Sequence, residues 1–229
     1  MFYWDPTYVI ILPGLLFAML AQFLVKSAFS RGQQQRSANG LTGEEAARRM
    51  LAQNGVFDVR FESAQGNLGD HYDPTTKTLR LSAGVRGSDS VAAIAVACHE
   101  AGHALQHAKG YAPLRLRTAS VPTVNIGSRL SWPLFIAGLL FSWQPLVEAG
   151  IILFAFTVLF ALVTLPVEFN ASRRALAGMT QAGVLYESEL PAAKSVLNAA
   201  AMTYVASALT AILQLMRLLA IAGVGRRRD

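Results

Sequence analysis

Charge is scarce in this chain: 15% of its residues are Asp, Glu, Lys or Arg, against about a quarter in an ordinary soluble domain. No Lys or Arg occurs between Met1 and Val25, and none between Leu130 and Ser172. With 53% hydrophobic residues and a positive mean hydropathy, this composition excludes an ordinary soluble globule and points to the bilayer. Cysteine is nearly absent. Cys98 stands alone, which excludes an intramolecular disulfide framework and fits a reducing, cytosol-facing environment. It reads as a small buried helix residue. A net charge of +6 would suit nucleic acid, but the basic residues fall between apolar segments, without a basic stripe interleaved with aromatics. Nucleic acid is therefore excluded as a partner and the lipid bilayer is expected.

Tyr8 to Val25 reads as an apolar helix about long enough to cross a membrane. It lacks a basic start and a small-residue cleavage site, so residues 1–26 are expected as a retained anchor rather than a signal peptide. Lys26 and Arg31 favour an outside N-terminus and a cytoplasmic continuation through a polar linker, 27–40. A soluble segment, 41–129, opens with Thr42 and Glu45 in a capping-box pattern ahead of Ala46, Ala47, Met50 and Leu51, and Gly55 stops that helix. Val56 to Ser63 and Thr76 to Ser82 alternate as strands, with turns at Gly66-Asn67 and Asp73-Pro74. The pair is expected as a small antiparallel unit. Ser88 or Ser90 can cap a helix running from Val91 to about Ala108 and closed by Gly110.

Trp132 to Val167 is nearly continuous hydrocarbon, enough for a transmembrane hairpin over 130–167 turning around Gln144-Pro145 and Glu148-Ala149-Gly150. After a returning segment, 168–195, Val196 to Met216 opens a C-terminal piece, 196–229, that either crosses the membrane or lies in its interface. A plain crossing would leave Arg226-Arg227-Arg228 opposite the other basic segments.

One motif carries chemistry. His99 and His103 are four residues apart on a helix, so both imidazoles project from one face and can reach one Zn²⁺. Glu100 beside them is placed to take a proton from metal-activated water and pass it to a leaving amine. The residues ahead of the motif, Val91 to Ala97, are small and apolar, so the helix is buried. Burying His, Glu and His without partners would be costly, and a metal removes that cost. A catalytic zinc needs a third protein ligand and an open position. His107 continues the series but lies about 12 Å of rise beyond His99, too far to share an ion, and reads as a satisfied helix-end histidine. Glu168 follows the apolar hairpin, which returns it to the side of His99 and His103; the alternative is an interfacial Glu paired with Arg173 or Arg174. Asp70, His71, Asn170, Arg173 and His107 are the candidates for supporting the ligands or meeting substrate. The strand Thr76 to Ser82, read as an edge, is a candidate for binding extended substrate by strand addition.

Leu41-Thr42-Gly43, Asp70-His71-Tyr72-Asp73-Pro74, Leu81-Ser82, His99-Glu100-Ala101-Gly102-His103-Ala104-Leu105-Gln106-His107 and Glu168-Phe169-Asn170-Ala171-Ser172 together resemble the YugP-type neutral zinc metallopeptidases of bacterial membranes. The resemblance covers residues 40 to 180 or so. It implies a peptidase of the bacterial inner membrane, multi-pass with a cytoplasmic-facing site, holding one zinc through His99 and His103 with Glu100 as base. A more distant likeness to the HtpX and CaaX-prenyl protease class implies Glu168 as the third ligand. That class usually has an Asp four residues after this Glu, where Ser172 stands here, so Asn170 or Asp70 is expected to substitute. The fold expected is mainly α: a multi-pass helical membrane protein with a small α+β zinc-peptidase segment, short antiparallel strands lying beside the metal helix. The expected function is a zinc endopeptidase acting on membrane or misfolded proteins. The alternative is a non-catalytic zinc-binding scaffold or regulator, which an intact Glu100 disfavours, since structural sites need no base and usually use four protein ligands. A transporter would need its charged groups within spans.

Overall fold

The computed structural model describes residues 5–64 and 69–226, with side chains up to residue 223. The expected turn at Gly66-Asn67 and the tail from Arg226 to Arg228 lie outside those described residues, except for the backbone of Arg226. Seven helices and three short strands follow one another among the described residues: α1 (Tyr8–Gln34), α2 (Gly43–Gln53), β1 (Arg60–Ser63), β2 (His71–Asp73), β3 (Thr78–Leu81), α3 (Ala83–Arg86), α4 (Val91–Ala108), α5 (Ala112–Leu140), α6 (Gln144–Gln181) and α7 (Leu190–Arg226). The mainly helical fold with a small mixed segment is as expected. The chain forms two compact units. One comprises Gln22–Arg115 and Pro166–Met202, the other Met1–Ala21, Leu116–Leu165 and Thr203–Asp229.

The first unit is built on α4. Ser90 caps it by accepting from the Ala93 N–H at 3.2 Å, and Gly110, at φ 62°, ends it in the left-handed region that favours glycine. Small side chains from Val91 to Ala97 let neighbours approach closely, and the helix is buried along most of its length. Helix α2 packs on it. Thr42 and Glu45 form the expected capping box, with the Thr42 N–H donating to Glu45 Oε2 at 2.8 Å and the Glu45 N–H to Thr42 Oγ1 at 3.3 Å. Its apolar face, Ala46, Ala47, Met50 and Leu51, joins Ile94, Leu79, Leu81 and Met179 in the core.

The strand pairing differs from the antiparallel pair expected. The sheet order is β1-β3-β2, with β1 parallel to β3 and only β2 antiparallel to it. The reason is the extra strand His71–Asp73. The chain reverses at its own hairpin, where Asp73 Oδ1 accepts from the Thr75 N–H at 2.9 Å and Asp73 Oδ2 from Thr76 Oγ1 at 2.7 Å. It therefore re-enters as β3 in the direction of β1. The strand read as an edge is consequently the central one, and β2 forms the edge beside α4.

The second unit consists of helix segments around Phe135, Val147 and Leu218. Helices α5 and α6 meet through glycines. A Cβ on Gly138 would come within 2.5 Å of the Val147 nitrogen, and one on Gly150 within 2.7 Å of the Phe135 nitrogen. The turn between them is Phe141–Trp143, with Ser142 at φ 49° and the Trp143 N–H donating to the Gly138 carbonyl at 2.8 Å. Gln144, Pro145 and Glu148 to Gly150, expected in that turn, already belong to α6, whose first turn tolerates Pro145 because its N–H would be unbonded there anyway. Arg217 is buried and donates to Asp5 Oδ2 at 2.9 Å and Thr7 Oγ1 at 3.1 Å, lying over the Tyr8 ring.

Among the described residues, three helices are long and apolar enough to cross a membrane: Tyr8–Gln34, Gln144–Gln181 and Leu190–Gly223. Only 11% of the first one's apolar window is buried, and Leu16, Met19 and Phe23 are exposed. Such a surface requires an apolar surrounding. Helix α1 also continues through Gln34, into the stretch expected as a polar linker.

Candidate metal centre

Helices α4 and α6 touch backbone to backbone where the candidate ligands converge. A Cβ on Gly102 would lie 2.5 Å from the Ala171 carbonyl oxygen, so no side chain fits between them. The contact lets Glu168, one turn before Ser172, reach His99 and His103. Glu168 Oε2 is 3.1 Å from His99 Nε2 and 3.6 Å from His103 Nε2. Among the described residues, His99, His103 and Glu168 form a group that could hold a metal ion, each offering a ligand atom within 4.8 Å of the others. Glu168 is 2% exposed and His99 13%.

The hydrogen-bond network decides which imidazole nitrogen is free. Gln106 is fully buried, and its Nε2 donates to the Val167 carbonyl at 2.8 Å and to Asn170 Oδ1 at 3.0 Å. Both partners are acceptors, so the amide orientation is fixed and Gln106 Oε1 faces His103 Nδ1 at 3.0 Å. His103 Nδ1 therefore carries the proton and donates. Its Nε2 lone pair points at a carboxylate, an arrangement of two acceptors that needs a cation or a proton between them. His99 is oriented in the same way, with Nδ1 3.1 Å from Ser172 Oγ. Two imidazoles held through Nδ1, with both Nε2 atoms beside a buried carboxylate, are a donor set suited to zinc.

Glu100 sits on α4 between the two histidines, and its Oε2 accepts from the Tyr72 N–H of β2 at 3.0 Å. Burial raises its carboxyl above the ordinary range, opposed by His103 and His99. Burial lowers the proton affinity of His103, but the adjoining Glu168 and Glu100 carboxylates outweigh it and the net direction is up. The network around Tyr72 extends to its hydroxyl, 2.9 Å from His107 Nδ1. Burial, reinforced by Asp58 and Asp73, pushes the phenol up to about 12, so it remains protonated.

The other candidates are distributed around this cluster. Asn170 reaches His103 through Gln106 and is itself held by Arg174 Nε at 2.7 Å. Asp70 bonds Ser82 and fastens β2 to the end of β3, accepting from the Ser82 N–H at 2.7 Å and Ser82 Oγ at 3.1 Å. His71 is exposed on the sheet, bonded to the Gly69 carbonyl at 2.6 Å and to Arg80 Nη1 at 3.2 Å. Arg173 is exposed. His107 lies outside the three-residue group. Gln106 and Tyr72 were not singled out from sequence. Gln106, three residues after His103 and on its helix face, left a readable signal; the backbone N–H of Tyr72 left none.

Over residues 7–223 the chain matches a family described as "Putative neutral zinc metallopeptidase". It is 46% identical over 206 residues to the "Putative membrane protease YugP" of Bacillus subtilis (strain 168), a match covering 90% of this chain and 92% of that relative. No solved structure is significantly similar to it.

Proposed function

We propose that this chain, which belongs to the neutral zinc metallopeptidase family, is an endopeptidase of the bacterial inner membrane that cuts membrane or misfolded proteins at a cytoplasmic-facing site. The observation that carries the reading is the convergence of His99, His103 and Glu168 beside Glu100. His99 Nε2, His103 Nε2 and a Glu168 carboxylate oxygen would hold one zinc, with Ser172 and Gln106 orienting the two rings. When bound, zinc supplies Lewis-acid polarisation of a peptide carbonyl and lowers the pKa of water toward neutrality. Glu100 removes the proton from the attacking water and delivers it to the leaving amine. Its Oε2 is held by the Tyr72 N–H, which leaves Oε1 for proton transfer.

Extended substrate meets β2 rather than the strand expected from sequence. Tyr72 donates away from β3, so Tyr72 and Leu79 form a non-hydrogen-bonded pair, and the Tyr72 carbonyl points outward with the N–H. That carbonyl can accept from a substrate backbone. Membrane attachment follows from the three apolar helices. Helix α6 has 38 residues, about 57 Å at 1.5 Å per residue, nearly twice a hydrocarbon core of about 30 Å. Counted from Gln144, the roughly 20 residues that fill that core end near Val163, and Glu168 falls beyond it. Lys26 and Arg31 after the first span favour a cytoplasmic position for this end.

The test is cleavage of casein by the purified full chain beside Glu100→Gln, with zinc measured in both. The reading expects Glu100→Gln to keep its zinc and lose cleavage by several orders of magnitude. Equal cleavage by the two would remove Glu100 from the reaction. Zinc in both with cleavage in neither, on casein or on a membrane-protein substrate, would favour the scaffold.

A further inference from the structure

The staple that β2 forms across α4 is not accounted for by the metal centre. Tyr72 touches α4 at two points. Its backbone N–H bonds Glu100 Oε2 at 3.0 Å, and its hydroxyl lies 2.9 Å from His107 Nδ1. Glu100 and His107 are about 10 Å apart in rise, two turns along the same face, so one residue bridges both turns. The ring is partly buried against the core and tilted 53° to the imidazole.

The rest of β2 is fixed from the opposite side. Asp70 is doubly bonded to Ser82, His71 and Asp73 pair with Arg80 and Thr78, and Arg80 also reaches His71. These contacts set the strand's position on β3, but none sets its distance from α4. At that face, Tyr72 bonds the helix through both its backbone N–H and its hydroxyl. The backbone bond to Glu100 cannot place itself, because a single N–H on a three-residue edge strand is easily lost to water. The phenol anchored on His107 holds it in place.

We infer that Tyr72, anchored by His107, is the positioning residue for Glu100: it fixes one carboxylate oxygen so that the other faces the reacting water. The inference rests on Glu100 being the base. His107, too distant to join His99 and His103 at a metal, thereby acts on the same reaction through the strand. Neither Tyr72 nor His107 touches the reacting atoms.

Two readouts test it. In kinetics on the full-length protein, Tyr72→Phe and His107→Phe each lower kcat about tenfold, the scale set by misplacing a reacting group slightly. Zinc per chain stays near wild type, and kcat falls by more than KM rises. The double variant is no worse than either single one, and His107→Gln, which still bonds the phenol, recovers most of the rate. Additive losses, or a change in KM alone, would overturn the inference. The second readout does not need activity. Hydrogen exchange at the Tyr72 amide is slow in wild type, and about tenfold or more faster in both Glu100→Ala and His107→Phe. If His107→Phe leaves that exchange unchanged, the anchor fails whether or not the protein cuts casein. If exchange responds but Glu100→Gln cuts casein like wild type, the staple stands as structure, the base assignment fails and the positioning role fails with it.

Discussion

Replacing Gln106 with Leu removes the group that sets the His103 tautomer. The side chain is fully buried and makes three hydrogen bonds, to His103 Nδ1, the Val167 carbonyl and Asn170 Oδ1. Asn170 keeps Arg174 as a donor and the Val167 carbonyl keeps its place in the backbone ladder of α6, so one group is stranded: the His103 Nδ1–H. It costs about 1–3 kcal/mol when buried unsatisfied, only partly offset by the added apolar packing. Part of that cost falls on the metal, because His103 is no longer held with Nε2 toward Glu168. Loss of such outer partners typically weakens metal affinity about 10- to 100-fold. Gln106→Glu separates the two effects. It still accepts from His103 Nδ1 but cannot donate to Val167, so it binds zinc better than Gln106→Leu while remaining less stable than wild type. Zinc affinity is read by competition with a chromophoric chelator, and stability by thermal unfolding of the zinc-free protein in detergent. If Gln106→Leu holds zinc as tightly as wild type, the tautomer reasoning is refuted.

Gly102→Ala places its Cβ within 2.5 Å of the Ala171 carbonyl oxygen, so α4 and α6 must separate; zinc per chain and unfolding temperature both fall, and unchanged values would mean the helices are not in backbone contact. Cys98 is fully buried and burial pushes its thiol well above the ordinary range, so maleimide labels it only after denaturation, as mass spectrometry of native and unfolded protein would show. Burial raises the Glu44 carboxyl, but hydrogen bonds from Arg86 and Arg48 outweigh this and hold it below the usual value. Its contribution to stability is therefore present above the unfolded pKa and is lost as pH falls through the lower folded one. Glu44→Gln should flatten the loss of stability below about pH 4, and an unaltered acid limb in thermal melts would contradict that.

How much was legible follows from the range of each signal. The capping box at Thr42 and Glu45 and the Ser90 cap are local, and both hold. The approach of Glu168 to the histidines was expected from the apolar run before it, read as a hairpin, and the close contact of α4 with α6 at Gly102 brings it about. The strand order could not. His71–Asp73 is three residues long, too short for alternation to register, and it reverses the chain so that β3 runs with β1. The turn at Phe141–Trp143 was misplaced because Gln144-Pro145 punctuates the start of a helix as readily as a loop. Ser172 stands where the distant class has Asp, and its hydroxyl lies 3.1 Å from His99 Nδ1. The support of His103 by Gln106 depends on the orientation of a buried amide, which only the acceptors on α6 define.

Zinc stoichiometry of the purified full chain tests the central claim most directly. We predict about one zinc per chain in wild type and in Glu100→Gln, and far less in His99→Ala, His103→Ala and Glu168→Ala, each checked for a folded helical spectrum. Full zinc retention by folded Glu168→Ala, or by either histidine variant, would contradict a site made by these three side chains.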